Sequence, residues 1–306
     1  MLKYLYLELD LQGMQRIQLE NKSSQWITLL FLSFIWGSSF ILMKKGLESF
    51  NHMQVAAFRI FFSFIFLLPF IIRHIGAIRR DNVQSLIIVG FAGFAIPAVL
   101  FTKAQTRIDS SLAGILNSLT PLFTLIVGLL IYKSKARWEN ILGLLIGLLG
   151  AVGLIWRGDL NVFRGINLFA LFVVAATICY GINVNEVKYK LAGLSSIQIT
   201  SLALLFTGPI AGIYLLLTDL APAAETPDYL VNLGYIALLA LFSSVIAVLV
   251  FNHLIKYTTP LFAASVTYII PLFAILWGIA DGEHIGILQF VWVAVILAGV
   301  YLVNKS

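Results

Sequence analysis

Two short stretches of this chain place stacking and hydrogen-bonding groups in the middle of apolar runs: Trp36-Gly37-Ser38-Ser39 and Tyr180-Gly181-Ile182-Asn183. An aromatic ring, a glycine and then a hydroxyl or amide offer a stacking face, close backbone approach and hydrogen bonds where water is scarce. A second pair surrounds two prolines, with Asn117 and Thr120 before Pro121, and Thr267 and Tyr268 before Pro271. Proline withholds an N–H and breaks the helical ladder. A carbonyl freed at membrane depth is tolerated where it meets protein or a water-filled cavity. With Trp277 nearby, these residues are the expected lining of a site for an uncharged or zwitterionic small solute. The competing reading is packing alone, with small residues at helix contacts and prolines as kinks.

Charged groups near the ends of the same runs are candidates for gating or coupling: Lys44, Arg59, Lys103, Lys188 and His253. Arg59 stands about two turns inside its run. It either snorkels to the headgroup layer, steadies a polar network or meets an anionic group. His253 titrates closest to neutral pH of these groups. Other chemistry is missing from the sequence. No His/Cys cluster has metal spacing, and no Gly-Lys loop cradles phosphate. No metal, cofactor or ATP-driven step is therefore expected, and no enzyme activity. All fourteen Asp and Glu fall in the tail, in links or near run ends, whereas a mid-span charge costs about 2.5–3.5 kcal/mol. An acidic proton relay is not expected either.

The elements that carry these groups follow from composition. Of 306 residues, 60% are hydrophobic and 11% charged, against about 25% charged in soluble domains. Lipid is therefore the expected solvent. The net charge of +6 belongs to short basic links, which excludes a nucleic-acid face. Cys179, the single cysteine, permits no intrachain disulfide. Ten runs are long enough to span: 26–46, 53–72, 83–104, 111–132, 138–156, 166–188, 195–217, 229–252, 261–280 and 286–303. The first 25 residues lack the apolar core and cleavage site of a signal peptide, and Met14 offers a second start. They are read as an N-terminal cytoplasmic segment.

The chain then says its spanning half twice. At an offset of 150, Phe101 falls on Phe251, Pro121-Leu122-Phe123 on Pro271-Leu272-Phe273, and Gly128 on Gly278. At an offset of 144, Trp36-Gly37 falls on Tyr180-Gly181, Lys44 on Lys188, and Gln54 on Gln198. The repeats are 26–156 and 166–303. Five spans are an odd number, so the second copy must enter the membrane upside down. The expected fold is all-α, ten helices in two inverted repeats, with the site between them. Placing the N-terminus inside leaves thirteen Lys and Arg in inner segments against six outside (Lys44, Lys45, Lys103, Arg107, Arg157, Arg164). Both termini are therefore expected in the cytoplasm.

With these pieces in order, the chain resembles the EamA-type family of the drug/metabolite transporter superfamily over 26–303. The resemblance rests on Trp36-Gly-Ser-Ser-Phe40, Arg59, Asn117-Ser-Leu-Thr-Pro-Leu-Phe123, Pro271-Leu-Phe273, Gly282-Glu283 and Leu297-Ala-Gly-Val300. It implies a secondary carrier of small metabolites such as amino acids, nucleobases or drug-like solutes, an exporter by alternating access in the inner membrane. A non-transporting membrane subunit and an intramembrane enzyme are the alternatives. One departure stands out: the family's Gly-Glu turn after the ninth helix has no counterpart after the fourth, where the chain reads Tyr132-Lys-Ser-Lys-Ala-Arg137. The fifth and tenth helices, poorest in polar residues, are expected at the periphery or at the face of a homodimer.

Overall fold

The structure is a computed structural model and describes residues 21–134, 137–155, 168–283 and 286–304. Helices run through them with no β-strand among the described residues. They are α1 (Lys22–Leu47), α2 (His52–His74), α3 (Val83–Gln105), α4 (Ser110–Leu130), α5 (Trp138–Ile155), α6 (Leu168–Tyr189), α7 (Ser196–Leu217), α8 (Tyr229–Tyr257), α9 (Pro260–Ala280) and α10 (Ile287–Asn304). Eight have both the length and the apolarity of a membrane span; α5 and α10, 18 residues each, complete the bundle. Helix α1 starts at Lys22, capped by Asn21, so the expected N-terminal segment 1–25 includes its first turn. Most of that segment, and the link after α5, lie outside the described residues.

The repeat is visible in how helices begin. Asn51 and Gln54 form a capping box at the start of α2: Gln54 N–H donates to Asn51 Oδ1 and Asn51 N–H to Gln54 Oε1, both at 3.0 Å. Ser195 and Gln198 do the same for α7, at 3.3 and 2.8 Å. Each box satisfies two N–H groups that a helix start leaves bare. The two boxes are 144 residues apart, the offset seen in the sequence.

Packing shows that the copies are inverted. Glu283, just past the C-terminus of α9, accepts hydrogen bonds from Ser110 and Ser111 at the N-terminus of α4. The matched helices α4 and α9 therefore run in opposite directions. Helix α1 packs on α9 and α8 while α6 packs on α4 and α3, which is the same pairing with the repeats exchanged. Helices α2 and α7 pack together, as do α5 and α10, so each pair joins matched members across the two-fold axis. Such contacts use small residues because lipid gives helices no hydrophobic reason to associate. A methyl added at Gly299 of α10, for instance, would come within 2.3 Å of the Gly147 nitrogen of α5.

Candidate functional site

Four helices depart from regular α-geometry, in matched pairs. In α3 and α8, Phe91–Ala95 and Leu239–Ile246 are π-helical. In α4 and α9, Asn117–Leu119 and Ser265–Tyr268 tighten to 3-10 turns just before Pro121 and Pro271. Each irregularity loosens backbone groups, and side chains take them up. Thr120 Oγ1 donates to the Asn117 carbonyl that proline leaves bare, at 2.8 Å. Thr267 Oγ1 donates to the Ala264 carbonyl three residues back, at 2.9 Å. Trp36 Nε1 donates to the Ser243 carbonyl inside the π-helical stretch, at 3.1 Å. π-Helical turns of this kind are frequent at functional sites.

These breaks surround a central cavity of about 80 Å³, room for several waters. Its lining is drawn equally from the two repeats. Two aromatic pairs face each other across it. Trp36 of α1 meets Phe251 of α8 edge-on, with centroids 5.0 Å apart, and Tyr180 of α6 stacks on Phe101 of α3 at 5.9 Å. Trp36 matches Tyr180 and Phe101 matches Phe251, so both pairs join one repeat to the other in the same way. Ser39, Asn117, Thr120, Asn183 and Thr267 supply polar groups to the wall. Two buried amide oxygens, Asn183 Oδ1 and Asn252 Oδ1, have no hydrogen-bond partner.

Seven of the twelve residues expected to line a site thus reach the cavity: Trp36, Ser39, Asn117, Thr120, Tyr180, Asn183 and Thr267. The other five do not line it. Ser38 is one residue, hence 100° of helix rotation, from Ser39; it accepts from Trp277 Nε1 at 2.9 Å on the outer surface, where Trp277 is 41% exposed. Pro121 and Pro271 are buried at their backbone breaks, and Tyr268 packs in the neighbouring apolar cluster. Gly37 and Gly181 serve helix packing. A methyl at Gly37 would lie 2.5 Å from Phe273 Cβ, and one at Gly181 would lie 2.8 Å from the Phe123 backbone.

Among the charged candidates, Arg59 is the one that lines the cavity. It does not snorkel toward a headgroup. Arg59 Nε donates to Ser244 Oγ at 2.7 Å and Nη2 to Ser243 Oγ at 3.4 Å. The remaining four lie near the ends of the bundle. Lys44 joins a charged cluster, pairing with Asp281 at 2.7 Å and Glu283 at 2.9 Å, while Lys45 pairs with Asp281 at 3.1 Å and Glu48 at 2.8 Å. Lys103 is half-buried near the end of α3. Lys188, matched to Lys44, meets no carboxylate among the described residues. It donates to the carbonyls of Ile255, Lys256 and Thr258 at 2.9, 3.2 and 2.5 Å. His253 stacks edge-on with Tyr257, and its Nε2 is buried with no partner.

Glu283 anchors the Lys44 end. Its side chain is 2% exposed and accepts from Ser110 Oγ at 2.6 Å, Ser110 N–H at 3.0 Å, Ser111 N–H at 3.1 Å and Lys44. Burial pushes the carboxyl up, but the bonds from Ser110, Ser111 and Lys44 prevail and hold it down at about 2. At the other end, burial and a hydrogen bond to Glu186 push the Tyr132 phenol up, so it stays a neutral donor. Beside it lies a polar vestibule of about 590 Å³, flanked by Arg80, Asp81, Lys133 and Lys190. Sequence reasoning missed Ser243, Ser244, Asn252 and the π-helical stretches. At the proline offset 91–95 reads Phe-Ala-Gly-Phe-Ala and 241–245 reads Leu-Phe-Ser-Ser-Val, with no identity to flag them.

Comparison with known proteins agrees with this architecture. The model of the EamA-like transporter family matches residues 24–156 and again 167–305. An inner membrane transporter of Escherichia coli (strain K12), YedA, is 27% identical over 287 residues, covering 90% of this chain and 89% of that protein. A protein of Chlamydia trachomatis serovar L2, named as an S-adenosylmethionine/S-adenosylhomocysteine transporter, is 25% identical over 262 residues, covering 82% and 80%. One solved crystal structure superposes with a TM-score of 0.65 at 14% identity over 93% of this chain and 97% of that one, a likeness of fold.

Proposed function

The chain belongs to the EamA-like transporter family and is an integral membrane transporter of small solutes; we propose that it holds its solute in the central cavity and carries it by alternating access. The observation that carries this reading is the pair of matched aromatic contacts, Trp36 with Phe251 and Tyr180 with Phe101, facing each other from inverted repeats. A two-fold structure has two equivalent ways to open. Loosening the contacts at one end and tightening those at the other exposes the same cavity to opposite sides. In the present state the Lys44 end is drawn together by ion pairs, while a polar vestibule lies at the Lys188 end. With both termini in the cytoplasm, that vestibule faces the cell interior, ready to load a solute for export.

The wall suits a compact solute with an apolar body and a few polar groups. Aromatic faces supply dispersion and stacking, and Asn117, Asn183 and Thr120 supply directional bonds. Purified protein in liposomes, given a broad panel of metabolites that includes S-adenosylmethionine, should show saturable counterflow of at least one solute. Trp36→Ala and Tyr180→Ala should each weaken it at least tenfold. Flux no greater than in empty liposomes for the whole panel would remove the carrier reading.

A further inference from the structure

Resting on the carrier reading, we infer that Arg59 is an anion site inside the cavity, and that the solute it takes is a small organic carboxylate. The guanidinium has five N–H donors and keeps its charge in proteins. Its hydrogen bonds run to hydroxyls, Ser244 Oγ, Ser243 Oγ and that of Tyr180, and Met43 Sδ lies 3.8 Å from Nη1. Hydroxyls and a thioether orient the group without neutralising it. Among the described residues no carboxylate comes within ion-pair distance of Arg59.

That contrasts with Lys44, near the end of α1, which pairs with two carboxylates, Asp281 and Glu283. An unpaired charge away from water costs several kcal/mol, and an ionisable side chain kept within a span marks function. The adjacent serines explain the orientation. They lie in the π-helical stretch of α8 and engage Nε and Nη2, while the Met43 sulfur beside Nη1 and the Tyr180 hydroxyl complete its neutral surroundings. A carboxylate entering the cavity meets a guanidinium held only by neutral groups, with five N–H donors to share among them. The apolar remainder of the solute then meets Trp36, Phe40, Phe101 and Phe251. The chemistry shared by all such solutes is the carboxylate; an amino group on the solute would find acceptors in the unpartnered amide oxygens of Asn183 and Asn252.

Charge-matched probes test this on the full-length protein: 3-phenylpropionate, 3-phenylpropionamide, L-phenylalanine, L-phenylalaninamide and phenethylamine, with S-adenosylmethionine and its methyl ester as a bulkier pair. Binding is read by intrinsic tryptophan fluorescence and by thermal stabilisation, and transport by counterflow in liposomes. Carboxylate members should bind at least tenfold more tightly than their amides or ester. Arg59→Gln should erase that preference and Arg59→Lys should keep part of it. Preference for phenylpropionate and phenylalanine alike identifies the carboxylate alone as the determinant; preference for phenylalanine alone adds the amino group. Equal binding of acids and amides, an Arg59→Gln protein that still prefers acids, or no binding of any acid overturns the inference. Saturable flux of uncharged members, unchanged in Arg59→Gln, overturns it and leaves the carrier reading standing. Absence of flux for every member removes both. If Arg59→Gln does not fold, the acid–amide comparison on the unaltered protein still decides.

Discussion

The two ends of the bundle solve one problem in two ways. At one end the N-terminus of α4 has no cap from its own Asp109. Glu283 supplies it from the other repeat, taking two backbone N–H groups, a hydroxyl and the Lys44 ammonium. At the matched end the N-terminus of α9 is capped by its own Thr259, whose Oγ1 accepts from Phe262 N–H at 3.1 Å. Lys188 there meets backbone carbonyls where Lys44 meets carboxylates. The turn after α4 carries the reason. A methyl at Gly278 would lie 2.5 Å from Glu283 Oε2, and one at Gly128 would lie 2.8 Å from Ser134 Oγ. Serine stands where glutamate stands in the other repeat. One end is thus a charged clamp between repeats, and the other is a set of local caps. Inverted copies thus share a scaffold and still differ in how firmly each end is held.

Removing the clamp's central carboxylate is the most severe way to break this contrast. Glu283→Gln leaves Lys44 short of a partner and weakens four hydrogen bonds, so it should cost about 3 kcal/mol of stability. Chemical unfolding of the purified protein measures it, and Ser134→Ala at the matched position should cost less than a third as much. Equal losses at both ends would mean that the asymmetry has no energetic content.

Acid should loosen the clamped end through Glu283. The folded Glu283 carboxyl titrates at about 2 against an ordinary value of 4.5. Its contribution is therefore complete above pH 4.5 and is lost as pH falls from there through 2. Between pH 7 and pH 3 the stability gap separating the unaltered protein from Glu283→Gln should narrow by about 2 kcal/mol. A gap independent of pH would show that the carboxylate's charge is not what closes this end.

The two-fold contacts themselves can be tested at the matched glycines. Gly37→Ala and Gly181→Ala should each destabilise by about 1–2 kcal/mol through overpacking. Gly181→Ala should cost more, because it meets the Phe123 backbone while Gly37→Ala meets the side chain of Phe273. Thermal unfolding of the pair ranks them, and a reversed order would place the two-fold contacts elsewhere. The smallest effect belongs to Thr259→Ala, which removes a single N-cap bond worth about 1 kcal/mol. A loss comparable with that of Glu283→Gln would make the Lys188 end a clamp as well.

Much of the architecture was legible beforehand for a plain reason. A spanning helix needs a long apolar run, and an odd number of such runs per copy forces inversion whatever the side chains do. The offset of 150 placed Pro121 and Pro271, and their Asn117 and Thr267 neighbours, in matching breaks. The missing Gly-Glu turn after α4 announced that the ends would differ. Ser38 and Ser39 mark the limit of that reading. Adjacent in sequence and alike in chemistry, they end on opposite surfaces, one against Trp277 and one in the cavity.

Composition and patterning alone carried the all-helical class, the repetition of the apolar runs and so their inversion, because lipid demands apolar length and satisfied backbone. Only tertiary structure decided which face of each helix looks inward. Lipid tails are as apolar as leucine, so hydropathy does not separate a face turned to lipid from one turned to protein. The destinations of Ser39, Asn183 and above all Arg59 were settled by which helix lay opposite: the cation in α2 came to rest against two serines that only the π-helical turns of α8 present to it.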